Sequence, residues 1–108
     1  MIEILVGLNV INEQGYRNYR DQMKPLLNKM GGGFRYDFII SKECDLDISE
    51  RFKVKMDKST INRLFIIFFP DANIQNKFFE HQDYLHLKQK YFEPSVASTT
   101  IIAEWNSN

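Results

Sequence analysis

Apolar residues fall at Ile4, Val6, Leu8 and Val10, with Leu5, Gly7 and Asn9 on the opposite face, and this period of two predicts a strand from Ile2 to Val10. Asn12 then supplies an N-cap. Tyr16, Tyr19, Met23, Leu26, Leu27 and Met30 recur at three- and four-residue spacings, which predicts a helix with one apolar stripe. Pro25 is placed to bend it. Gly31-Gly32-Gly33 ends it, because glycine enters left-handed conformations cheaply. Phe34, Tyr36, Phe38 and Ile40 then restore the period of two and predict a second strand.

Leu64-Phe65-Ile66-Ile67-Phe68-Phe69 is apolar on both faces, so it predicts a strand covered by helices on one side and by something else on the other. That second cover is missing from so short a chain. Pro70 stops the strand, Asp71 caps a helix carrying Ile74 and Phe78, and a further helical segment runs from about Tyr84 to Phe92, ahead of Pro94. The last strand spans about Val96 to Trp105, with Ile101, Ala103 and Trp105 facing one way and Thr100, Ile102 and Glu104 the other. The order strand, helix, strand, strand, helix, strand is that of an α+β ferredoxin-like βαββαβ sandwich, with helices on one face of a four-stranded antiparallel sheet. Cys44 to Ile61, where Leu46, Ile48, Phe52, Val54 and Met56 alternate with charges, reads as an inserted hairpin or loop between strands 2 and 3, its edge guarded by Lys53 and Lys55.

With 108 residues, 44% of them hydrophobic, residues 1–108 are expected to form one domain, and a core of this size gains from a second subunit. Fourteen Lys and Arg balance fourteen Asp and Glu, which argues against a nucleic-acid or anionic-membrane surface. The single cysteine, Cys44, makes no internal disulfide, and no apolar run approaches a membrane span of about 18 residues. The first residues lack a basic leader, so a cytoplasmic setting is the expectation.

Several features in a fixed order carry a family resemblance: Tyr16 and Tyr19 opening the first helix, Gly32-Gly33, then Phe69-Pro70-Asp71, the aromatic pair Phe78-Phe79, and Asp83-Tyr84. In this order the chain resembles the uncharacterised bacterial domain-of-unknown-function family thirteen-thirty, of the dimeric α+β barrel superfamily. It departs from that pattern where the usual Trp-Tyr is Phe78-Phe79 and where the arginine common seven residues past the last motif tyrosine is Tyr91. The resemblance implies a homodimer whose sheets pack face to face, closing the apolar face left by Phe65, Ile67 and Phe69 or their neighbours. It implies no single activity, since the superfamily holds cofactor-free monooxygenases, isomerases, haem-handling proteins and members with no known reaction.

The residues able to do chemistry are few. Arg35 and Asp37 are two apart on a predicted strand, hence side by side on one face. If that face lines a cleft, Arg35 holds a carboxylate or enolate and Asp37 accepts a proton; otherwise they form an ordinary ion pair. Arg63 joins such a site or flanks its strand as a gatekeeper. Tyr36 and Tyr84 are expected near the barrel mouth or the dimer rim, whereas Tyr16 and Tyr19 lie on the apolar stripe and are read as core. His81 and His86 are five apart, about 140° around a helix, which spoils a shared zinc-binding face. A cleft-facing His81 would instead carry protons.

Cys44 sits among Glu43, Asp45 and Asp47, which discourage a thiolate. Asp45-x-Asp47-x-Ser49 fails as a calcium loop, because Glu50 occupies the place of the turn glycine. No metal and no cofactor are expected. The leading expectation is a homodimer, joined through the sheet face, that encloses a small organic ligand in an apolar cavity with Arg35, Tyr36, Asp37 and His81 at its polar end. The alternatives are a cofactor-free monooxygenase or isomerase using Asp37 or His81 as base, and a non-enzymatic interaction or structural module.

Overall fold

The computed structural model describes residues 1–40 and 61–107. The inserted segment expected from Cys44 to Ile61 lies outside the described residues except for Ile61 itself. Strand β1 (Ile2–Val10) leads into helix α1 (Glu13–Lys29) and strand β2 (Gly33–Ile39). Strand β3 (Arg63–Phe69) is followed by helices α2 (Ala72–Glu80) and α3 (Gln82–Leu87), a π-helical turn (Lys88–Phe92) and strand β4 (Val96–Asn106). The sheet has four strands in the order β2-β3-β1-β4, with every neighbouring pair antiparallel, which is the expected ferredoxin-like α+β topology.

Local chemistry sets the boundaries. The Asn12 side chain accepts from the Gly15 amide at 3.1 Å, and Asp71 accepts from the Ile74 amide at 2.8 Å. Each satisfies an amide that the first helical turn leaves unpaired. Helix α1 runs through Pro25 and closes with a paired C-terminal motif, in which the Gly31 amide donates to Asn28 and the Gly32 amide to Leu27. Gly31 carries a φ of 85°, a conformation that glycine adopts without the penalty a Cβ would bring.

Gly32 is needed for a different reason. A Cβ there would lie 2.5 Å from the Phe68 carbonyl oxygen and 2.8 Å from Leu27 Cδ1. Gly32→Ala is therefore expected to destabilise the fold by about 1–3 kcal/mol through overpacking against backbone, and thermal melts would measure it.

The core lies between one face of the sheet and the helices. Ile4, Val6, Leu8 and Val10 of β1 and Phe65, Ile67 and Phe69 of β3 are buried there against Tyr16, Tyr19, Met23 and Leu27 of α1 and Phe78 of α2. Leu64, Ile66 and Phe68 point the other way and stay half-buried, so these neighbours, and not Phe65, Ile67 and Phe69, form the apolar face that the chain leaves bare.

Bulges in β2 and β4 alter the faces expected from simple alternation. In β2, Arg35 pairs with Ile66 and Asp37 with Phe65, so Tyr36 is an extra residue, and it takes a φ of 58°. Arg35 consequently shares the bare face with Ile66, while Asp37 shares the helix-covered face with Phe65. In the β1–β4 ladder a shift between Leu5 and Val6 pairs Ala103 with Leu5 and Ile101 with Val6. Ile101 therefore lies on the helix side, whereas Trp105, opposite Glu3, lies on the bare side. The expectation that Ile101, Ala103 and Trp105 share one face fails because one inserted residue moves every side chain beyond it.

Candidate functional site

Helices α1 to α3 and the π-turn cover β1, β3 and the start of β2 but leave β4 exposed, and the space beside β4 is a cavity of about 100 Å³. Its floor is Val6, Leu8, Phe65 and Ile67 from the sheet, with Phe34 at the end. Its roof is Tyr19 and Met23 of α1, Phe79 and Tyr84 of the second helical pair, and Phe92 of the π-turn. Thr99 and Ile101 form the open side, and Ile101 is 58% exposed although it faces the helix layer. A π-turn widens the helical repeat locally. Here it sets the Phe92 ring 4.9 Å from that of Tyr19.

Among the described residues, the side chains on the cavity wall that carry a polar group are Tyr19, Tyr84 and Thr99. Burial raises the phenols of both Tyr19 and Tyr84 above the usual tyrosine value. Burial likewise pushes Tyr16 up to about 12, against the opposing pull of the Arg20 guanidinium. All three folded values exceed the unfolded value near 10, so the stability they contribute is complete below pH 10 and is lost as pH rises through the folded values. The urea midpoint is expected to fall above pH 10, and Tyr84→Phe is expected to make that fall shallower.

Behind Phe34 lies a charged cluster. Arg63 Nη1 donates to both Asp37 oxygens at 3.2 Å, and Arg20 Nη2 lies 3.8 Å from Asp37 Oδ2. Arg63 Nη2 meets the Glu13 carboxylate, and Arg20 Nη1 donates to the Tyr16 hydroxyl at 3.1 Å. The Arg20 guanidinium stacks 3.7 Å above Phe34, and Arg63 lies 4.9 Å from the Tyr16 ring centre. Both guanidinium groups are almost fully buried, whereas the Asp37 and Glu13 side chains are 34% and 47% exposed. Charge-assisted bonds and aromatic faces together hold the two cations in an apolar layer.

On the bare face, Glu3 is buried between Arg35, whose Nε is 3.2 Å away, and the Trp105 indole, which donates at 3.0 Å. The Arg35 guanidinium also covers the Phe68 ring at 4.8 Å. The residues singled out in the sequence thus separate. Tyr84 lines the cavity, Arg63 and Asp37 lie behind it, and Arg35 is on the opposite side of the sheet. Tyr36 is 64% exposed and stacks on Phe38 at 5.6 Å. His81 caps α3, its Nδ1 accepting from the Asp83 amide at 3.1 Å. His86 and Asp83 border an open surface groove with Pro25 and Leu26.

Sequence reasoning missed two participants. Arg20 falls four residues after Tyr16 on the apolar stripe, and a charge at a stripe position signals a buried partner. Tyr19 is expected in the core from its place on the stripe, and it also lines the cavity.

Sheet order, helix placement and the cavity between them define a ferredoxin-like α+β protein. No family model matches the chain, and no curated protein matches its sequence. Solved structures do match. A protein of unknown function from Rhodopseudomonas palustris superposes with a TM-score of 0.76 at 12% identity, covering 99% of this chain and 82% of that one. A protein from Arabidopsis thaliana gives a TM-score of 0.67 at 8% identity, over 100% and 96% of the two chains. A dabb family protein with a ferredoxin-like fold from Mesorhizobium loti gives 0.60 at 14% identity, over 99% and 96%. At these identities the likeness is one of fold.

Proposed function

We propose that this protein is a homodimer that binds a small organic ligand in the aromatic-lined cavity between sheet and helices. The observation that carries this reading is the cavity itself, which is apolar on nearly every side and opens past Ile101, with two tyrosines on its wall. Concave apolar sites with a few polar groups are where proteins hold small molecules. This location replaces the expected one between two sheets, because the charged candidates Arg35 and Asp37 face opposite sides. The order of Tyr16, Tyr19, Gly32-Gly33, Phe69-Pro70-Asp71 and Asp83-Tyr84 supports placing the chain beside domain-of-unknown-function family thirteen-thirty.

The bare face supports the dimer. Leu64, Ile66 and Phe68 sit there beside Ile102, Phe38 and Trp105, which are 46%, 55% and 38% exposed. A contiguous apolar patch of this kind marks a contact surface. In this reading Arg35 and the Tyr36–Phe38 ring pair belong to the subunit contact. Among the described residues no helix is long and apolar enough to cross a membrane, and a cytoplasmic setting remains part of the proposal.

Binding is favoured over cofactor-free oxygenation or isomerisation, because both Asp37 oxygens are engaged by Arg63 and His81 is spent on a helix cap. Native mass spectrometry of protein purified without added ligand is the direct test. A dimer carrying extra mass is expected, and Ile66→Lys is expected to yield monomers. A wild-type monomer would overturn the dimer, and failure of any small molecule to shift the cavity resonances would overturn the ligand site.

A further inference from the structure

The chemical class of the ligand follows from what the cavity wall offers and withholds. Six of its side chains are aromatic: Tyr19, Phe34, Phe65, Phe79, Tyr84 and Phe92. Their rings already meet in offset and tilted pairs, with Phe79 at 5.3 Å from Tyr84 and Phe34 at 5.5 Å from Phe65. A wall of ring faces and edges favours a flat occupant over a branched aliphatic one. The volume, about 100 Å³ and open on one side, suits a single ring. For comparison, a closed apolar cavity of about 150 Å³ holds benzene.

Charge narrows the class further. Among the described residues no Lys, Arg, Asp, Glu or His lines the cavity. Arg20, on the face of Phe34, is engaged by Asp37 and Tyr16. A carboxylate or ammonium entering the cavity would lose its water and find no counter-charge. A neutral oxygen fares differently. Each tyrosine hydroxyl has one proton to donate, so Tyr19 and Tyr84, both on the cavity wall, offer donors to an acceptor.

We propose that the cavity takes a neutral molecule with one aromatic ring and a hydrogen-bond-accepting oxygen, such as an aryl ketone, aryl aldehyde or phenol. The ring lies between Phe79, Phe92 and Ile101, and the oxygen accepts from the Tyr19–Tyr84 pair. This rests on the reading of the cavity as a ligand site, which the control arm of the test examines separately.

Acetophenone, toluene and benzoate share a ring and differ only in the group that would meet the tyrosines. Ligand-observed NMR titrations at neutral pH on the full-length protein would rank them. Acetophenone is expected to bind roughly three- to tenfold more tightly than toluene, the gain one hydrogen bond brings, and benzoate more weakly than either. The double variant Tyr19→Phe with Tyr84→Phe removes both donors and is expected to bring acetophenone close to the affinity of toluene.

Equal binding of acetophenone and toluene by the wild type would overturn the oxygen preference while leaving the cavity reading intact. Tightest binding by benzoate would overturn the exclusion of charge. No binding by any of the three would overturn both this inference and the ligand site. The wild-type ranking decides these outcomes without depending on any variant's folding.

Discussion

Phe78→Ala is expected to lower the unfolding free energy by about 3–5 kcal/mol, the cost of deleting a fully buried aromatic ring. Phe78 is 0% exposed and is the one buried residue of α2. It stacks on Tyr84 at 4.8 Å with the planes 17° apart, meets Phe79 at 5.4 Å, and touches Phe69 of β3 at 5.6 Å. The ring therefore joins α2 to the sheet and to α3 together. Domains of this size keep roughly 5–15 kcal/mol of stability, so the variant would retain little margin. Urea denaturation would give the loss. A change below about 1 kcal/mol would mean that neighbouring side chains refill the space.

Asp37→Asn is expected to cost roughly 2–4 kcal/mol, somewhat under the usual range for breaking a buried ion pair because Asp37 keeps contact with water. The argument concerns what remains behind. Arg63 and Arg20 are held among Phe34, Phe65 and Tyr16, and Asp37 is the carboxylate they share. Removing its charge leaves two cations close together with, among the described residues, only the more exposed Glu13 to offset them. The double variant Asp37→Asn with Arg63→Met removes one of these cations and is expected to recover part of the loss. If the single variant melts with the wild type, the cluster contributes nothing to stability.

The element order was legible because each element carries its own period and its own stop. The Asn12 and Asp71 caps, the glycine run after α1 and the switch from three-four spacing to alternation all mark real boundaries. The faces were legible only where alternation is unbroken, as along Ile4 to Val10. They were lost in β2 and β4, because a bulge depends on how two strands settle against each other and leaves no composition signal. Tyr36 shows this well. A left-handed backbone is expected of glycine or asparagine, and a tyrosine gives no warning of it. The cavity was hidden for a related reason: it depends on how far the helices extend across the sheet, a tertiary property.

The extra residue at Tyr36 gives β2 something like a reading frame. Upstream of it even positions such as Phe34 face the helices; downstream, odd positions such as Asp37 do. Losing Tyr36 itself would remove the bulge and leave the later residues facing as they do, because Arg35 and Asp37 would then alternate directly. Drawing Tyr36 into the regular ladder with no residue lost would instead transpose all that follow, putting Asp37 on the bare side and Phe38 into the place between two arginines. The faces of this strand should therefore tolerate the loss of this one residue far better than the straightening of the bulge around it.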